Sequence, residues 1–251
     1  MPRLRMILFW CGVLLLLAPI GAVVRDMPTF GDHPLPYGDA INSAAPHQRH
    51  VSNAVSAVNF DFRGFDTLGE EFMLVCAVTG AVVLLRGSRG ESVTAEPGTL
   101  PGRPFPARSD AVRLVGRLMA PLTLVFGLYV VLHATVTPGG GFQGGVVIAS
   151  ALLLLFLGEG YRGWRWIMRT PWLDACEGGG ALLFALAGFA PMLTGAAFLQ
   201  NTLSYGKFRD MLSGGLMQIE NAGVACAVMA GFSLVLLEFL EETREPERDD
   251  T

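Results

Sequence analysis

The sequence predicts an all-α, polytopic membrane protein with about six transmembrane helices. Hydrophobic residues make up 51% of its 251 residues and charged residues only 16%, whereas soluble domains carry about 25% charged residues. Six apolar runs are long enough to cross the hydrocarbon core of a bilayer, which takes about 20 residues. This composition excludes a disordered chain and a nucleic-acid binder, and it argues against an ordinary soluble enzyme.

Carboxyl and imidazole groups are nearly absent from these six runs. The runs are Met6–Val24, Thr67–Leu85, Leu118–Val136, Phe142–Gly158, Gly178–Leu199 and Leu216–Leu237. The carboxyl and imidazole groups that they do contain are those of Glu70, Glu71, His133 and Glu220. Because the rest of the chain has too little polar sequence to cover six such helices in water, the lipid bilayer is the expected surrounding.

The first run has two interpretations. Arg3 and Arg5 precede it, as basic residues precede the apolar core of a secretory signal peptide. However, the uncharged run is longer than a usual cleaved core, and no Ala-x-Ala site follows it. We therefore favour an uncleaved membrane anchor over a signal peptide.

Basic residues are distributed unevenly between the two sides of the predicted bundle. With a cytoplasmic N-terminus, the cytoplasmic side carries Arg3, Arg5, Arg86, Arg89, Arg103, Arg108, Arg113, Arg117, Arg162, Arg165, Arg169, Arg244 and Arg248. The other side carries Arg25, Arg49, Arg63, Lys207 and Arg209. Since Lys and Arg are enriched in cytoplasmic loops, we predict six helices with both termini cytoplasmic.

The chain divides into four parts by composition. Residues 1–86 form a two-helix unit, 87–110 a Gly/Pro/Ser/Arg-rich flexible cytoplasmic linker, 111–242 a four-helix unit and 243–251 an acidic tail. Within the first unit, the polar segment 25–65 is expected to be a loop that is ordered only against partners.

A glycine-rich motif stands between the third and fourth helices. Its members are Pro138, Gly139, Gly140, Gly141, Gly144 and Gly145. The proline is expected to end the third helix, and the first three glycines allow a tight turn with positive φ. The last two glycines allow another helix backbone to approach closely. The motif lacks the GK[ST] of a phosphate loop, so we assign it a structural role.

The titratable groups at membrane depth are the candidates for a proton or ion path, because such groups are costly in a bilayer. Our candidates are Glu70, His133 and Glu220. For Glu70, a helix-start residue at the headgroup level is an equal alternative, and that is the interpretation we favour for its neighbour Glu71. His133 is equally compatible with a hydrogen-bonded residue at a helix end.

Other acidic residues flank helix ends and are expected to be interfacial. They are Glu159, Asp174, Glu177 and Glu238. In the segment before the second helix, Asp66 or Thr67 can cap that helix, and Arg63 can pair with Asp61, with Asp66 or with a neighbouring subunit. No catalytic triad, nucleotide motif or metal-ligand spacing occurs in the sequence, and the four cysteines suit apolar packing. We expect no enzymatic activity, no cofactor and no metal site.

Two groups of motifs resemble a known family. Residues 109–242 look like the B-type component (MnhB) of Mrp/Mnh-type multisubunit cation/proton antiporters. Residues 53–86 resemble the C-terminal part of the A-type component, which is also found as a small separate protein in membrane-bound hydrogenases. The resemblance to the B-type component rests on residues 129–133, 137–145, 194–195, 198–201 and 213–215. The resemblance to the A-type component rests on residues 61–70.

The resemblance implies a subunit of a complex in a bacterial inner membrane that is related to the membrane arm of respiratory complex I. Its partners would be the other antiporter subunits, and its transported ions Na⁺, or another monovalent cation, and H⁺. Glu70 would be the membrane carboxylate of the A-type tail, and His133 would lie beside the glycine turn. Where family members carry a second histidine, this chain has Thr135. A redox-driven ion-pumping complex and a purely structural scaffold remain as alternatives.

Overall fold

Helices and turns make up the described part of the chain. The computed structural model describes residues 2–27, 36–88, 109–168 and 170–242, and these ranges contain no strand. The helices are α1 (Pro2–Arg25), α2 (Pro36–Gln48), α3 (Ala54–Ala57), α4 (Gly64–Ser88), α5 (Asp110–Leu132), α6 (Gly141–Ile167), α7 (Thr170–Phe189) and α8 (Leu216–Glu242). A π-helical segment, Val58–Phe62, follows α3, and a 3₁₀ turn, Ala190–Thr194, follows α7. Residues 89–108 of the predicted linker 87–110 and the acidic tail 243–251 lie outside the described residues, whereas α4 extends to Ser88 and α5 begins at Asp110, so the ends of the predicted linker are helical.

Six helices within these ranges are long and apolar enough to span a membrane, which confirms the predicted fold class. The spans are Leu4–Arg25, Gly64–Leu85, Asp110–Leu132, Gly141–Gly160, Thr170–Thr194 and Leu216–Leu240. The protein is therefore a multi-pass membrane protein.

The chain forms two compact units, Met1–Ala40 and Ile41–Thr251. In the first unit, α1 exposes apolar side chains on all its faces, as suits a helix whose surroundings are lipid or another protein. In the second unit, α8 is central and packs against α4, α5, α6 and α7. The sequence predicts a two-helix unit and a separate four-helix unit. In the structure, α4 of the predicted two-helix unit packs against α7 and α8 of the predicted four-helix unit.

The helices of the second unit run alternately up and down. We call one end of it the motif end, because α4, α6 and α8 begin there and it carries residues 49–63, 133–140 and 195–215. Glycines allow the helices to approach closely: a Cβ at Gly145 would lie 2.9 Å from the carbonyl oxygen of Ala225 on α8, and one at Gly144 would lie 3.0 Å from that of Gly127 on α5. These contacts confirm the close approach predicted for both glycines.

The glycine turn differs from the prediction in two respects. Gly139 and Gly140 have φ values of 144° and 154°, as expected, whereas Gly141 is the first residue of α6 and has no positive φ. However, α5 already ends at Leu132, and His133 caps it, so Pro138 is not the residue that stops the helix. The chain turns earlier because the backbone N–H of Thr137 donates to the carbonyl of His133 at 2.9 Å.

The segment 25–65 is not the unstructured loop that we expected. Its described part contains helices, and Asn53 fixes it to the turn after α5. The Asn53 amide nitrogen donates to the carbonyl oxygens of Ala134 at 2.7 Å, Thr137 at 3.0 Å and Gly139 at 3.2 Å. The segment is thus ordered by its own chain, because the two N–H groups of one buried amide are shared among three carbonyl oxygens.

Two predicted helix starts are also corrected. α4 begins at Gly64, which places Asp66 and Thr67 inside its first turn rather than at the cap. α5 begins at Asp110, where the Ser109 hydroxyl accepts from the backbone N–H of Val112, well before the predicted start at residue 118. The apolar run missed this first part of α5 because exposed arginines, including Arg117, interrupt it; Arg117 Nε lies 2.8 Å from Glu159 Oε1.

Candidate functional site

Three carboxylates are buried at different depths among α4, α7 and α8, and each is a candidate functional group. Glu71 and Glu220 are 0% exposed and Glu177 is 7% exposed. Both carboxylate oxygens of Glu71 and of Glu220, and Oε1 of Glu177, are buried without a hydrogen-bond partner. Because an isolated charge is strongly disfavoured in such surroundings, each of these groups calls for a neutralising proton or cation.

Helical spacing places Glu71 on the face of α4 that packs on α8. Leu68, three residues before it, belongs to a buried cluster with Met217 and Val224 of α8. Leu74, three residues after it, packs against that same cluster. Since residues three apart share a helix face, Glu71 points towards α8 together with these leucines.

Glu177 lies two turns inside α7, and this burial corrects the expectation that it is interfacial. The reason is that α7 begins at Thr170, well before the predicted start at Gly178. Its Oε1 is 3.5 Å from the position that a Cβ on Gly231 of α8 would occupy, and Val78 of α4 lies beside the same point. The absence of a side chain at Gly231 therefore leaves room for the carboxylate between three helices. Glu238 is likewise buried rather than interfacial.

Glu220 lies just over one turn into α8, as predicted, and next to the glycine motif. The adjacent Asn221 accepts a hydrogen bond from the backbone N–H of Gly141 at 2.8 Å and donates to the carbonyl of Met217 at 3.1 Å. These two bonds fix α8 against the start of α6.

Glu70 lies on a neighbouring, exposed face of α4. It is exposed on the surface of the second unit, while its neighbour Glu71 is fully buried. Adjacent helical residues project about 100° apart, so only one of the two can face α8. The role of Glu70 in an ion path stays a prediction, and it now concerns a surface that a partner protein would cover.

The side chain of His133 contacts the last turn of α5, the helix that this residue caps. Its Nδ1 lies 3.0 Å from the carbonyl oxygen of Tyr129, and its ring stacks on that of Tyr129 with the centroids 4.0 Å apart. Thr135, which stands where the family carries a second histidine, is buried and accepts a hydrogen bond from Gln218 Nε2 at 2.9 Å. Its hydroxyl therefore helps to fix the turn to α8. The role of His133 as a relay remains untested.

An ion pair that the sequence did not reveal lies at the motif end. Arg63 pairs with Asp66, one of its expected partners, whereas Asp61 pairs with Arg49. The guanidinium of Arg49 also lies 5.3 Å from the ring centroids of Phe62 and Tyr205. Burial raises the pKa of Asp61, although the charge and hydrogen bond of Arg49 act in the opposite direction.

The sequence contained a signal for Glu71 that hydropathy alone does not use. Leu68, Glu71, Leu74 and Val78 recur at intervals of three and four, which is the spacing of one helix face. Glu70 belongs to the neighbouring face. The Arg49–Asp61 pair has no comparable signal, because nothing local relates residues that the chain brings together through a turn.

This architecture defines a polytopic membrane protein whose helical bundle encloses ionisable groups. Residues 111–234 match the family described as a domain related to the MnhB subunit of Na⁺/H⁺ antiporters. An uncharacterized protein of Methanocaldococcus jannaschii is 30% identical over 199 residues, which cover 73% of this chain and 75% of that protein. The chain belongs to the MnhB family of membrane subunits.

Two further relatives carry functional names. The B-type component of a Na⁺/H⁺ antiporter of Bacillus subtilis is 33% identical over 89 residues, covering 36% of this chain and 62% of that protein. The combined A/B-type component of a probable K⁺/H⁺ antiporter of Rhizobium meliloti is 26% identical over 217 residues, covering 76% of this chain and 21% of that protein. The Methanocaldococcus and Rhizobium matches cover 73% and 76% of this chain, which is a larger share than residues 111–251 make up. Both matches therefore include residues that precede residue 111.

Solved structures show the same fold. A chain of the membrane-bound sulfane sulfur reductase, an archaeal respiratory membrane complex, superposes with a TM-score of 0.71 and 24% identity, covering 94% of this chain and 98% of that chain. A chain of the Mrp complex from Dietzia sp. DQ12-45-1b superposes with a TM-score of 0.68 and 21% identity, covering 99% of this chain and 27% of that chain.

Proposed function

We propose that this chain is a membrane subunit of an Mrp-type multisubunit antiporter that exchanges Na⁺, or another monovalent cation, for H⁺. The observation that carries the proposal is the match of residues 111–234 to the MnhB family, together with relatives named as subunits of Na⁺/H⁺ and K⁺/H⁺ antiporters. Its partners are the other subunits of that complex. It lies in the bacterial cell membrane with both termini on the cytoplasmic side.

The buried carboxylates supply the chemistry for a role in the ion path. A carboxylate without a hydrogen-bond partner at membrane depth is stabilised when it takes up a proton or a monovalent cation. Glu71, Glu177 and Glu220 lie on three helices that pack against one another, and each has at least one buried carboxylate oxygen without a hydrogen-bond partner. The protein therefore both builds the complex and carries ions through it.

The first experiment is expression of the tagged chain with its neighbouring genes, followed by purification in mild detergent. We expect large antiporter subunits to co-purify, and Na⁺ or K⁺ addition to dissipate a pH gradient in vesicles that contain the complex. Elution of the chain alone would overturn the proposal. A chain-deletion strain provides the vesicle control.

A second candidate is the membrane arm of a redox-driven ion-pumping complex. The observation that favours it is the superposition on a chain of the sulfane sulfur reductase, which covers nearly the whole of both chains. Co-purification of iron–sulfur or nickel-containing subunits would assign the protein to this class. Neutral variants of every buried carboxylate that transport normally would instead indicate a structural scaffold.

A further inference from the structure

The space beside Gly231 of α8, which we call the Gly231 notch, holds one of the buried carboxylates. A Cβ at Gly231 would lie 3.5 Å from Glu177 Oε1, 3.0 Å from Val78 Cγ2 and 3.9 Å from Leu74 Cγ. Glu177 belongs to α7, and the two apolar side chains belong to α4. Three helices therefore enclose the notch, and a carboxylate oxygen of Glu177 enters it.

Apolar side chains surround this carboxylate. Leu173 lies one turn before Glu177 on the same face of α7, and it belongs to a buried apolar cluster. Leu234, one turn after Gly231, belongs to the same cluster, and so does Val78. Glu177 Oε1 is buried and has no hydrogen-bond partner. Because neither water nor a donor would stabilise a negative charge there, these surroundings favour the neutral, protonated acid.

Glu177 lies nearer to the end of the bundle opposite the motif end. α7 begins at that opposite end, and the helix rises about 10 Å from Thr170 to Glu177. Towards the motif end, a Cβ at Gly180 would lie 2.4 Å from the carbonyl oxygen of Gly223, so α7 and α8 touch there. Glu177 is 7% exposed, whereas the other two buried carboxylates are 0% exposed. Glu177 is thus the most accessible of the three.

We propose that the Gly231 notch is a proton site, with Glu177 as the group that takes up the proton and Gly231 as its positioning residue. This inference rests on the proposed role of the chain in an ion path, and it names the ion that Glu177 carries. Hydronium gives its proton to a carboxylate oxygen of Glu177 and becomes water. The resulting carboxylic acid later returns the proton to water, so the exchange needs no other reactant.

The notch does not suit Na⁺ or K⁺. A dehydrated alkali cation needs several oxygen atoms in place of its water shell, as the carbonyl rings of K⁺ channels provide. Apart from the nearby backbone of α8 and the residues flanking Gly231, the three atoms nearest to a Cβ there are one oxygen and two aliphatic carbons. Within the described part of the chain, no group of three His, Cys, Asp or Glu residues could hold a metal ion. The site therefore serves the proton, and the exchanged cation takes another route.

The first test labels Glu177 with dicyclohexylcarbodiimide, an apolar reagent that modifies protonated carboxyl groups. The protein, purified with whatever subunits accompany it, is treated with and without Na⁺ or K⁺, and the modified peptide is quantified by mass spectrometry. We expect strong labelling of Glu177 that neither cation reduces. Glu159 is the control, because it is exposed, lies 2.8 Å from Arg117 Nε and stays ionised.

Two labelling results would contradict the inference. Labelling of Glu177 no stronger than that of Glu159 would overturn the protonated state. Protection of Glu177 by Na⁺ or K⁺ would show that a cation occupies the notch, and would overturn the selectivity for the proton.

Infrared spectroscopy tests the positioning by Gly231. The C=O stretch of a carboxylic acid moves to lower frequency when the acid forms a hydrogen bond, and the band of Glu177 is assigned by its loss in Glu177→Gln. Gly231→Ser places a hydroxyl group beside Oε1, whereas Gly231→Ala adds the same Cβ without the hydroxyl. We expect a downward shift of the band in Gly231→Ser and the frequency of a free acid in Gly231→Ala. Equal frequencies in the two variants would remove Gly231 from the site.

A transport measurement separates this inference from the proposed function. In vesicles that contain the whole complex, Glu177→Gln should reduce antiport by about tenfold or more. Asp174→Asn, which changes an exposed carboxylate one turn earlier on α7, is the matched control and should transport like the wild type. Wild-type antiport in Glu177→Gln would overturn the role of this proton site in transport. A complex without any antiport whose Glu177 shows the expected labelling would instead contradict the proposed function and leave the proton site in place.

Discussion

At the scale of single residues, the most consequential finding concerns two adjacent glutamates. Glu70 and Glu71 have the same chemistry and differ by one position, but Glu71 is fully buried and Glu70 is exposed. The difference arises because α4 turns its leucine face towards α8, and Glu71 lies on that face. The buried carboxylate of Glu71 must therefore be neutralised by a proton or a cation. The exposed carboxylate of Glu70 can instead be solvated by water or lipid headgroups, or bound by a partner protein.

We predict that Glu71→Gln reduces antiport by about tenfold or more without lowering the amount of assembled complex. A neutral amide of similar size costs less to bury than a bare carboxylate, so folding should be preserved. The measurement is cation-dependent dissipation of a pH gradient in vesicles, normalised to complex abundance.

Glu70→Gln is the matched variant, since it makes the same change on the exposed side of the helix. Loss of antiport in Glu70→Gln with normal antiport in Glu71→Gln would contradict the interior path. That result would place the path on the surface of α4, where a partner protein would supply its other wall, as the resemblance to the A-type component implies for Glu70.

At the scale of helices, glycines decide how closely the backbones pack. A Cβ at Gly141 would lie 2.8 Å from Val224 Cβ, and one at Gly116 would lie 2.7 Å from the backbone nitrogen of Gly158. In lipid the hydrophobic effect does not drive helices together, so the van der Waals contacts made by closely packed backbones stabilise the bundle instead. The glycine motif therefore contributes to the bundle that positions Glu220, rather than binding a ligand.

We predict that Gly144→Leu abolishes assembly of the complex or lowers its melting temperature strongly. The new side chain would overlap Val131 and the backbone of Gly127, and overpacking of this kind costs about 1–3 kcal/mol or more. Complex abundance and thermal unfolding in detergent measure the effect.

Gly179→Leu controls for the substitution itself. Gly179 lies in α7, is exposed, and would place a Cβ with nothing within 4 Å. It should assemble like the wild type unless a partner covers that face. Normal abundance and melting temperature in Gly144→Leu would refute the close-packing argument.

At the scale of the whole molecule, the membrane-spanning helices of the second unit alternate, so that the motif end and the opposite end of this unit lie on different sides of the membrane. The distribution of basic residues predicts that the motif end is external. We predict that a cysteine replacing exposed Ser204, in a chain whose native cysteines are removed, reacts with an impermeant maleimide in intact cells.

Asp110→Cys, at the start of α5, tests the other end of the second unit in the same way. It should react only after the membrane is permeabilised, because α5 begins at the other end of the bundle. Labelling of Asp110→Cys but not Ser204→Cys in intact cells would reverse the predicted orientation.

The membrane-spanning elements were predictable because hydropathy is a local property. Six apolar runs had to become helices, since a helix satisfies its own backbone hydrogen bonds in lipid. Errors occurred where a helix extends beyond its apolar run, as at Asp110 and Thr170. These extensions carry charged residues that end a hydropathy window without ending a helix. The burial of Glu177 was missed for this reason.

By itself, the sequence determined that this is a six-helix membrane protein of the MnhB type, because apolar runs and family motifs are contiguous in the chain. Only the tertiary structure decided which face of α4 turns inwards, and that Arg49, rather than Arg63, pairs with Asp61. The physical reason is that the rotation of a helix about its axis and the meeting of distant residues depend on packing between elements. A hydropathy profile measures each element alone, so it contains neither quantity.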